Sequence, residues 1–285
     1  MIKQFSFIIL ALALACNPKT TEIQSNSGDS KIITAGGTIT EIVAALGMGD
    51  LIIATDITST FPERMQELPS IGYRNQIKAE GILALGPDMI LMEEGYLNED
   101  VINQLQTAQI EIHSFVKPGN VVETVTLIEK LGELLDQKEE AESLKGQLNQ
   151  DLENLATYLK TITSKPKAAF IMARGPQTIF LAGEETFAQE IFQMAQLEFP
   201  ATGFKDFVPI TPESIVKINP DYLVFFESGI QSLGGSQGLA KIQGIDQTTA
   251  FKKSQIIALD GNYLSGFGPR VGKAALELAK AARGE

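Results

Sequence analysis

The sequence predicts an α/β protein made of two α/β lobes that are joined by one long rigid helix. Three observations support this prediction. Short runs rich in β-branched residues alternate with helical patterns, a long helix-forming stretch separates these runs into two sets, and both sets contain a similar phrase. We therefore expect a first lobe over residues 31–137, a connecting helix over 138–163 and a second lobe over 164–285.

The strands are predicted where short hydrophobic runs lie between turn residues. They are 31–35, 51–55, 89–92 and 111–115 in the first lobe, and 168–172, 222–226 and 255–259 in the second. The connecting helix is predicted from leucines spaced three or four residues apart, which form one apolar stripe. These are Leu144, Leu148, Leu152, Leu155 and Leu159. At 1.5 Å per residue, residues 138–159 span about 33 Å, which is long enough to connect two lobes.

The repeated phrase reads AEGILALGPDMILM at 79–92 and PESIVKINPDYLVF at 212–225. In each copy a glutamate, Glu80 or Glu213, is followed by a Pro-Asp pair and then by a hydrophobic strand. This pattern is typical of a short amphipathic helix, a turn and a buried strand. Its presence on both sides of the long helix indicates two related lobes.

The composition excludes several classes of function. The chain of 285 residues carries 23 Lys and Arg against 35 Asp and Glu, a formal net charge of −12, so we expect no nucleic-acid binding. One histidine and one cysteine exclude zinc sites built from several such ligands. The sequence also contains no Gly-x-x-x-x-Gly-Lys phosphate loop. We therefore expect that the protein is not an enzyme.

The first sixteen residues, MIKQFSFIILALALAC, are predicted to be an export signal. A lysine precedes an apolar run that is too short to span a bilayer, and small residues lead up to Cys16. This end of the segment resembles a bacterial lipoprotein lipobox, although leucine is more usual where Ala13 stands. Acylation of Cys16 would anchor the protein stably if two or more chains are added. Residues 17–30 are polar and without periodicity, as in a flexible tether.

Nearly all of residues 31–284 resembles the ABC-transporter substrate-binding proteins whose two lobes are joined by one helix, the class III periplasmic binding proteins. Within that class the chain is most similar to the haem-binding subgroup. The most specific match is Gly72-Tyr73 followed by Lys78-Ala79-Glu80-Gly81. The phrases that carry the resemblance are ITAGGTITEIVAALG at 33–47, TDITSTFP at 55–62, LPSIGYRNQIKAEGILALGPD at 68–88, LAGEETFAQEIF at 181–192 and GFGPRVGKAALELA at 266–279.

The resemblance implies a protein that captures haem b between its lobes and delivers it to a permease dimer with its ATPase subunits. It implies a monomer in the periplasm or on the extracytoplasmic face, held to the membrane only by the lipid anchor at Cys16. Tyr73 would be the axial ligand of the haem iron, since tyrosine is a known haem ligand. Glu80 and Glu213 would contact arginines of the permease, one lobe on each subunit.

Other side chains are candidates for the haem site. Arg74 and Arg174 are expected to stabilise the tyrosinate or clamp the propionates, because a guanidinium binds a carboxylate bidentately. Thr38 opens a predicted helix whose free N–H groups can meet an anion, or it is a simple N-cap. Tyr96 follows a strand at the edge of the first lobe, and Phe267 is a candidate to pack on the macrocycle.

The chain also departs from the family pattern at two positions. Members commonly carry an arginine two residues after the tyrosine, whereas Arg74 follows Tyr73 immediately. Arg174 stands where some members have a second, histidine ligand, so we expect ligation by Tyr73 alone or with water. The only histidine, His113, is expected to be structural.

Several alternatives remain open from the sequence. The same fold could bind a ferric siderophore or a corrinoid such as vitamin B12. An exported hydrolase using Glu93 and Glu94, or a sensor or adhesion lipoprotein, would change the class of function. Retention of Glu80 and Glu213 favours transport over these last two. The single connecting helix predicts small lobe movements on ligand binding rather than a wide hinge closure.

Overall fold

The computed structural model describes residues 30–285. The predicted export signal, Cys16 and all but the last residue of the predicted tether lie outside the described residues. Within that range no helix is both long enough and apolar enough to cross a membrane.

The first sheet has four strands in the order β2-β1-β3-β4, and all neighbouring strands are parallel. Its strands are β1 (Ile32–Ala35), β2 (Ile52–Thr55), β3 (Met89–Glu93) and β4 (Glu111–Phe115). The helices of this half are α1 (Gly37–Val43), α2 (Ala79–Leu85), α3 (Glu99–Thr107) and α4 (Val121–Leu134). Parallel pairing brings the carboxyl ends of all four strands to one edge.

The second sheet has five strands in the order β7-β6-β5-β8-β9. Its strands are β5 (Ala168–Ala173), β6 (Ile179–Ala182), β7 (Phe207–Pro209), β8 (Tyr222–Phe226) and β9 (Ile256–Leu259). Strands β5, β8 and β9 are parallel, whereas β6 and β7 pair antiparallel. The helices are α6 (Phe187–Met194), α7 (Pro212–Ile218), α8 (Glu227–Ser232), α9 (Thr249–Lys252), α10 (Gly261–Ser265) and α11 (Val271–Ala281).

All seven predicted strands are present, each within one residue of its predicted bounds. Strands β6 and β7 were not predicted. Strand β6 returns from β5 through a tight turn in which Gly175 has φ 85° and the Arg174 N–H donates to the Thr178 carbonyl at 2.8 Å. Strand β7 has only three residues and lies at the sheet edge, so it shows little hydrophobic alternation.

Helix α5 (Lys138–Leu159) lies between the two sheets in sequence and packs against α4 and α11. The predicted leucine stripe faces the core: Leu148 and Leu155 are buried, and the other three leucines pack against the same cluster. That cluster also contains Ile32 of the first sheet and Phe170 of the second. The two halves therefore share one continuous hydrophobic core.

The repeated phrase forms the same local structure in both halves. In the first, Asp88 Oδ2 accepts a hydrogen bond from the Lys31 N–H at 2.8 Å, just before β1. In the second, Asp221 Oδ2 accepts from the Lys167 N–H at 2.9 Å, just before β5. In each half, the Asp of the Pro-Asp turn thus forms a hydrogen bond that connects the start of one strand to the start of its parallel neighbour.

Side-chain hydrogen bonds also join the two halves directly. Thr38 Oγ1 donates to the Gly266 carbonyl at 2.8 Å, and Thr124 Oγ1 donates to the Phe267 carbonyl at 2.7 Å. Together with the shared core, these bonds fix α1 and α4 of the first half against the segment before α11 of the second.

Candidate ligand-binding cleft

A cavity of about 450 Å³ lies between the two halves, at the carboxyl ends of their parallel strands. This is the usual position for ligand sites in open α/β sheets. The first half contributes Ile57, Thr58, Arg74, Glu93, Tyr96 and Lys117 to the wall. The second half contributes Phe226, Ser228, Asp260, Asn262 and Ser265.

The loop after β2 is held in place by the buried carboxylate of Asp56. Its Oδ1 accepts from the Gly36 N–H at 2.9 Å and from the Ser59 hydroxyl at 2.7 Å. Its Oδ2 accepts from the Thr58 N–H at 2.9 Å and the Thr58 hydroxyl at 2.6 Å. Four donors satisfy this carboxylate, and the ordered loop leaves the Ile57 side chain 59% exposed at the cavity wall. The cavity therefore has a rigid apolar contact on this side.

Tyr96 lines the cavity as a hydrogen-bonded phenol. The Thr58 hydroxyl donates its hydrogen to Asp56, so at 3.0 Å from the Tyr96 hydroxyl it acts as the acceptor. Burial raises the pKa of Tyr96, and the nearby carboxylates of Glu93 and Asp56 raise it further. Tyr96 thus offers an aromatic wall and is a poor source of a tyrosinate ligand.

Tyr73 lies in the loop that follows β2 and precedes α2. Gly72 has φ 100°, a backbone conformation that favours glycine, and its carbonyl accepts from the Ile57 N–H at 3.2 Å. Tyr73 is half-buried, and the guanidinium of Arg74 lies 5.8 Å from its ring centroid and 4.9 Å from that of Tyr96. Arg74 itself lines the cavity. The loop therefore places Tyr73 beside a cation of the cavity wall.

Glu93 and Lys117 bring opposite charges to the same cavity. Glu93 ends β3 and is only 3% exposed, and Gly36 makes room for it, since an added Cβ there would lie 2.5 Å from the carboxyl carbon. Burial raises the pKa of Glu93, while the Lys117 charge and the Thr38 backbone N–H oppose this rise. Lys117 is open to the cleft but surrounded by protein, and this burial lowers its pKa, with Glu93 opposing.

Lys117 was missed in the sequence analysis. It follows the end of β4 by two residues, and β4 was predicted. Because the carboxyl ends of parallel strands share one edge, this position could have identified Lys117 as a candidate.

Two predicted site residues lie away from the cavity, and these expectations are corrected. Thr38 is fully buried, its hydroxyl donates to the Gly266 carbonyl and its backbone N–H donates to the Glu93 carboxylate, so neither group is available to a ligand. Phe267 is 1% exposed and belongs to the shared core. The N–H groups at Thr38 and the ring of Phe267 were expected at the ligand, but both residues instead pack where the halves meet.

Arg174 and His113 lie outside the cavity wall. Arg174 is exposed in the turn after β5, at the same sheet edge as the cleft. Its role as a propionate clamp stays a prediction. His113 is half-buried on β4, with Nε2 2.6 Å from Glu111 Oε1. Within residues 30–285, no group of three His, Cys, Asp or Glu side chains is arranged to hold a metal ion.

Two solved structures resemble this fold over nearly its whole length. The periplasmic heme-binding protein RhuT from Roseiflexus sp. RS-1, in apo form, is 32% identical with a TM-score of 0.85, over 90% of this chain and 98% of its own. The periplasmic heme-binding protein BhuT in complex with two hemes is 25% identical with a TM-score of 0.82, over the same shares of 90% and 98%.

Curated relatives cover most of the chain as well. The uncharacterized ABC transporter substrate-binding lipoprotein YvrC of Bacillus subtilis is 27% identical over 253 residues, 88% of this chain and 79% of its own. The vitamin B12-binding protein of Yersinia pestis is 26% identical over 255 residues, 88% of this chain and 85% of its own. A family model described as periplasmic binding protein matches residues 32–263, more than half of the sequence. This chain therefore belongs to the periplasmic binding protein family.

Proposed function

We propose that this protein is the substrate-binding component of an ABC importer and that it captures haem in the cleft between its two lobes. The observation that carries the proposal is that Arg74 lines the interlobe cavity and that its guanidinium lies 5.8 Å from the ring centroid of the neighbouring Tyr73. The heme-binding proteins RhuT and BhuT, which share this fold at 32% and 25% identity, support the same ligand.

The chemistry of the cleft suits a ferric haem. A tyrosinate oxygen is an established axial ligand for haem iron. Tyr96 is buried and hydrogen-bonded to Thr58, whereas Tyr73 is half-buried. Ile57, Tyr96 and Phe226 supply the apolar and aromatic contacts that a macrocycle needs. Haem b would be the transported ligand rather than a resident cofactor.

A spectroscopic titration of the purified protein with ferric haem tests this assignment. We expect saturable binding with ferric–phenolate absorption bands, and loss of those bands in Tyr73→Phe. Tyr158→Phe is the matched control, since its hydroxyl lies 3.0 Å from Glu285 near the chain terminus and outside the cavity wall. The control should keep the bands, and bands that survive in Tyr73→Phe would contradict the assignment of Tyr73.

A corrinoid is the second candidate ligand, because the vitamin B12-binding protein of Yersinia pestis is 26% identical over 88% of this chain. A corrinoid carries its own ligands to cobalt and does not need a protein tyrosinate. Tyr73→Phe would therefore leave its affinity nearly unchanged. Saturable binding of cyanocobalamin together with no binding of haem would favour this candidate.

The partner that we propose is a permease with two similar docking sites. Glu80 and Glu213 are exposed at the second position of α2 and α7, the equivalent helices of the repeat. One turn further on, Leu83 and Val216 are exposed by 40% and 36%. Each lobe thus presents a carboxylate beside an apolar side chain, as expected for contact with a cationic, partly apolar surface.

The remaining parts of the proposal concern the anchor and the lobes. We propose acylation of Cys16, an extracytoplasmic location and a monomeric protein whose lobes are residues 31–137 and 164–285. Cys16→Ala should move the protein from the membrane fraction to the soluble fraction without changing haem binding. Membrane association that is unchanged in Cys16→Ala would contradict the anchor.

A further inference from the structure

Two cations of the cavity wall form no salt bridge in the part of the chain that the structure describes. Among the ion pairs of residues 30–285, none within 4.0 Å involves Arg74 or Lys117. Both side chains line the same cavity. Both side chains are exposed to the cleft and form no salt bridge among the described residues, so an anionic group of a ligand could pair with them.

Lys117 lies where two cavities meet. It lines the main cavity and also a neighbouring cavity of about 410 Å³, and Ser265 of the second lobe borders both. A ligand group at Lys117 would therefore sit at the junction, with room to extend either way. Glu93 lies on the same wall, and its carboxylate acts electrostatically on Lys117.

The opposite wall offers a further donor. Asn262 of α10 lines the cavity, and its Nδ2 atom is buried without a hydrogen-bond partner among the described residues. Buried donors are nearly always paired, by protein, water or ligand. Two unpaired cations on one wall and one unpaired amide on the other together favour a ligand that brings acceptor oxygens, such as carboxylates.

We propose that Lys117, together with Arg74 and with Asn262 opposite, is the carboxylate-binding part of the cleft and makes it selective for a ligand with free carboxylates. This inference rests on the proposed function and specifies the ligand within it. An acid-bearing tetrapyrrole is preferred over one whose carboxyl groups are esterified or amidated. Lys117 is thereby a propionate-binding residue in addition to those expected from the sequence.

The test is a cycle that changes the lysine and the carboxylates separately. Dissociation constants are measured for ferric protoporphyrin IX and for its dimethyl ester, which keeps the iron and the macrocycle, with wild type and Lys117→Met. A hydrogen bond to a charged group corresponds to about a tenfold change in affinity. We expect Lys117→Met to bind the diacid about tenfold more weakly than wild type and to bind the diester with unchanged affinity.

Two further variants serve as controls. Lys117→Arg retains the cation and should recover most of the affinity for the diacid. Lys253→Met removes one positive charge from the exposed turn after α9, outside the cavity, and should change neither affinity. If Lys117→Met weakened the binding of diacid and diester equally, or weakened neither, this inference would be overturned while the proposed function would stand. If wild type bound neither porphyrin saturably, the proposed function would be overturned and this inference with it.

Discussion

Removing the guanidinium of Arg270 tests how strongly the two halves are held together. Arg270 precedes α11 and donates from Nε and Nη2 to the two carboxylate oxygens of Glu41, at 2.7 and 2.9 Å. The Glu41 side chain is only 4% exposed, and the Arg270 side chain is 24% exposed. The guanidinium also lies 3.6 Å from the ring centroid of Phe61 and 4.8 Å from that of Tyr263. Arg270 of the second half therefore bonds to Glu41 and stacks on Phe61 of the first.

The expected magnitude follows from what Arg270→Ala leaves behind. Breaking a buried ion pair by removing one partner destabilises a protein by about 3–5 kcal/mol, because the other charge stays buried and unpaired. Loss of the cation–π contact with Phe61 adds about 0.5–2 kcal/mol. The two contributions together give about 3.5–7 kcal/mol. Because the Arg270 side chain is 24% exposed and solvent weakens both contacts, we expect Arg270→Ala to lower the free energy of unfolding by about 4 kcal/mol, near the lower end.

Urea denaturation of wild type and variants measures this difference directly. Arg64→Ala is the matched control: its pair with Asp50 has a similar distance of 2.8 Å, but the side chains are 48% and 92% exposed. Exposed pairs contribute about 0–1 kcal/mol. The double variant Glu41→Leu with Arg270→Met should regain much of the lost stability, since it removes both charges. An Arg270→Ala variant as stable as Arg64→Ala would refute the reasoning.

Three further outcomes are expected. Burial raises the pKa of Glu93 above its ordinary value of 4.5, so the folded protein holds this proton more tightly than the unfolded chain. Relative to Glu93→Gln, wild type should lose stability as pH rises from about 4.5 through the raised pKa, which unfolding curves at several pH values would show. Glu80→Lys combined with Glu213→Lys should abolish ligand uptake by cells while the purified protein keeps its affinity. X-ray scattering curves should show little compaction on haem addition, because the halves share one core.

Strands and turns that depend on local sequence patterns were predicted correctly. Strand β4 (Glu111–Phe115) and strand β8 (Tyr222–Phe226) have the bounds predicted from their hydrophobic runs. The Pro-Asp repeat was recognised because its turn chemistry is local. Strand β7 was missed because a three-residue edge strand depends on its pairing with β6 rather than on its own sequence.

The positions of individual site residues were less predictable. The sequence predicts that Thr38 opens a helix, but its hydroxyl donates to the carbonyl of Gly266, 228 positions away in sequence. Phe267 was predicted to pack on the ligand, but its side chain is buried in the shared core. Lys117 carries no motif, and only the sheet order shows that it lies in the same cavity as Glu93. In each case the deciding contact is tertiary.

The separation between core and cleft bears on how such proteins diverge. The cavity wall comes from loops and strand ends such as Ile57, Arg74 and Lys117, while the shared core comes from α5 and the sheet interiors. Substitutions in these loops can alter the ligand with little penalty in folding, because few of them touch the core. Proteins with the same core can therefore acquire new ligand specificities when the loops of the cavity wall change. In agreement with this, the relatives of this chain include a heme-binding protein and a vitamin B12-binding protein.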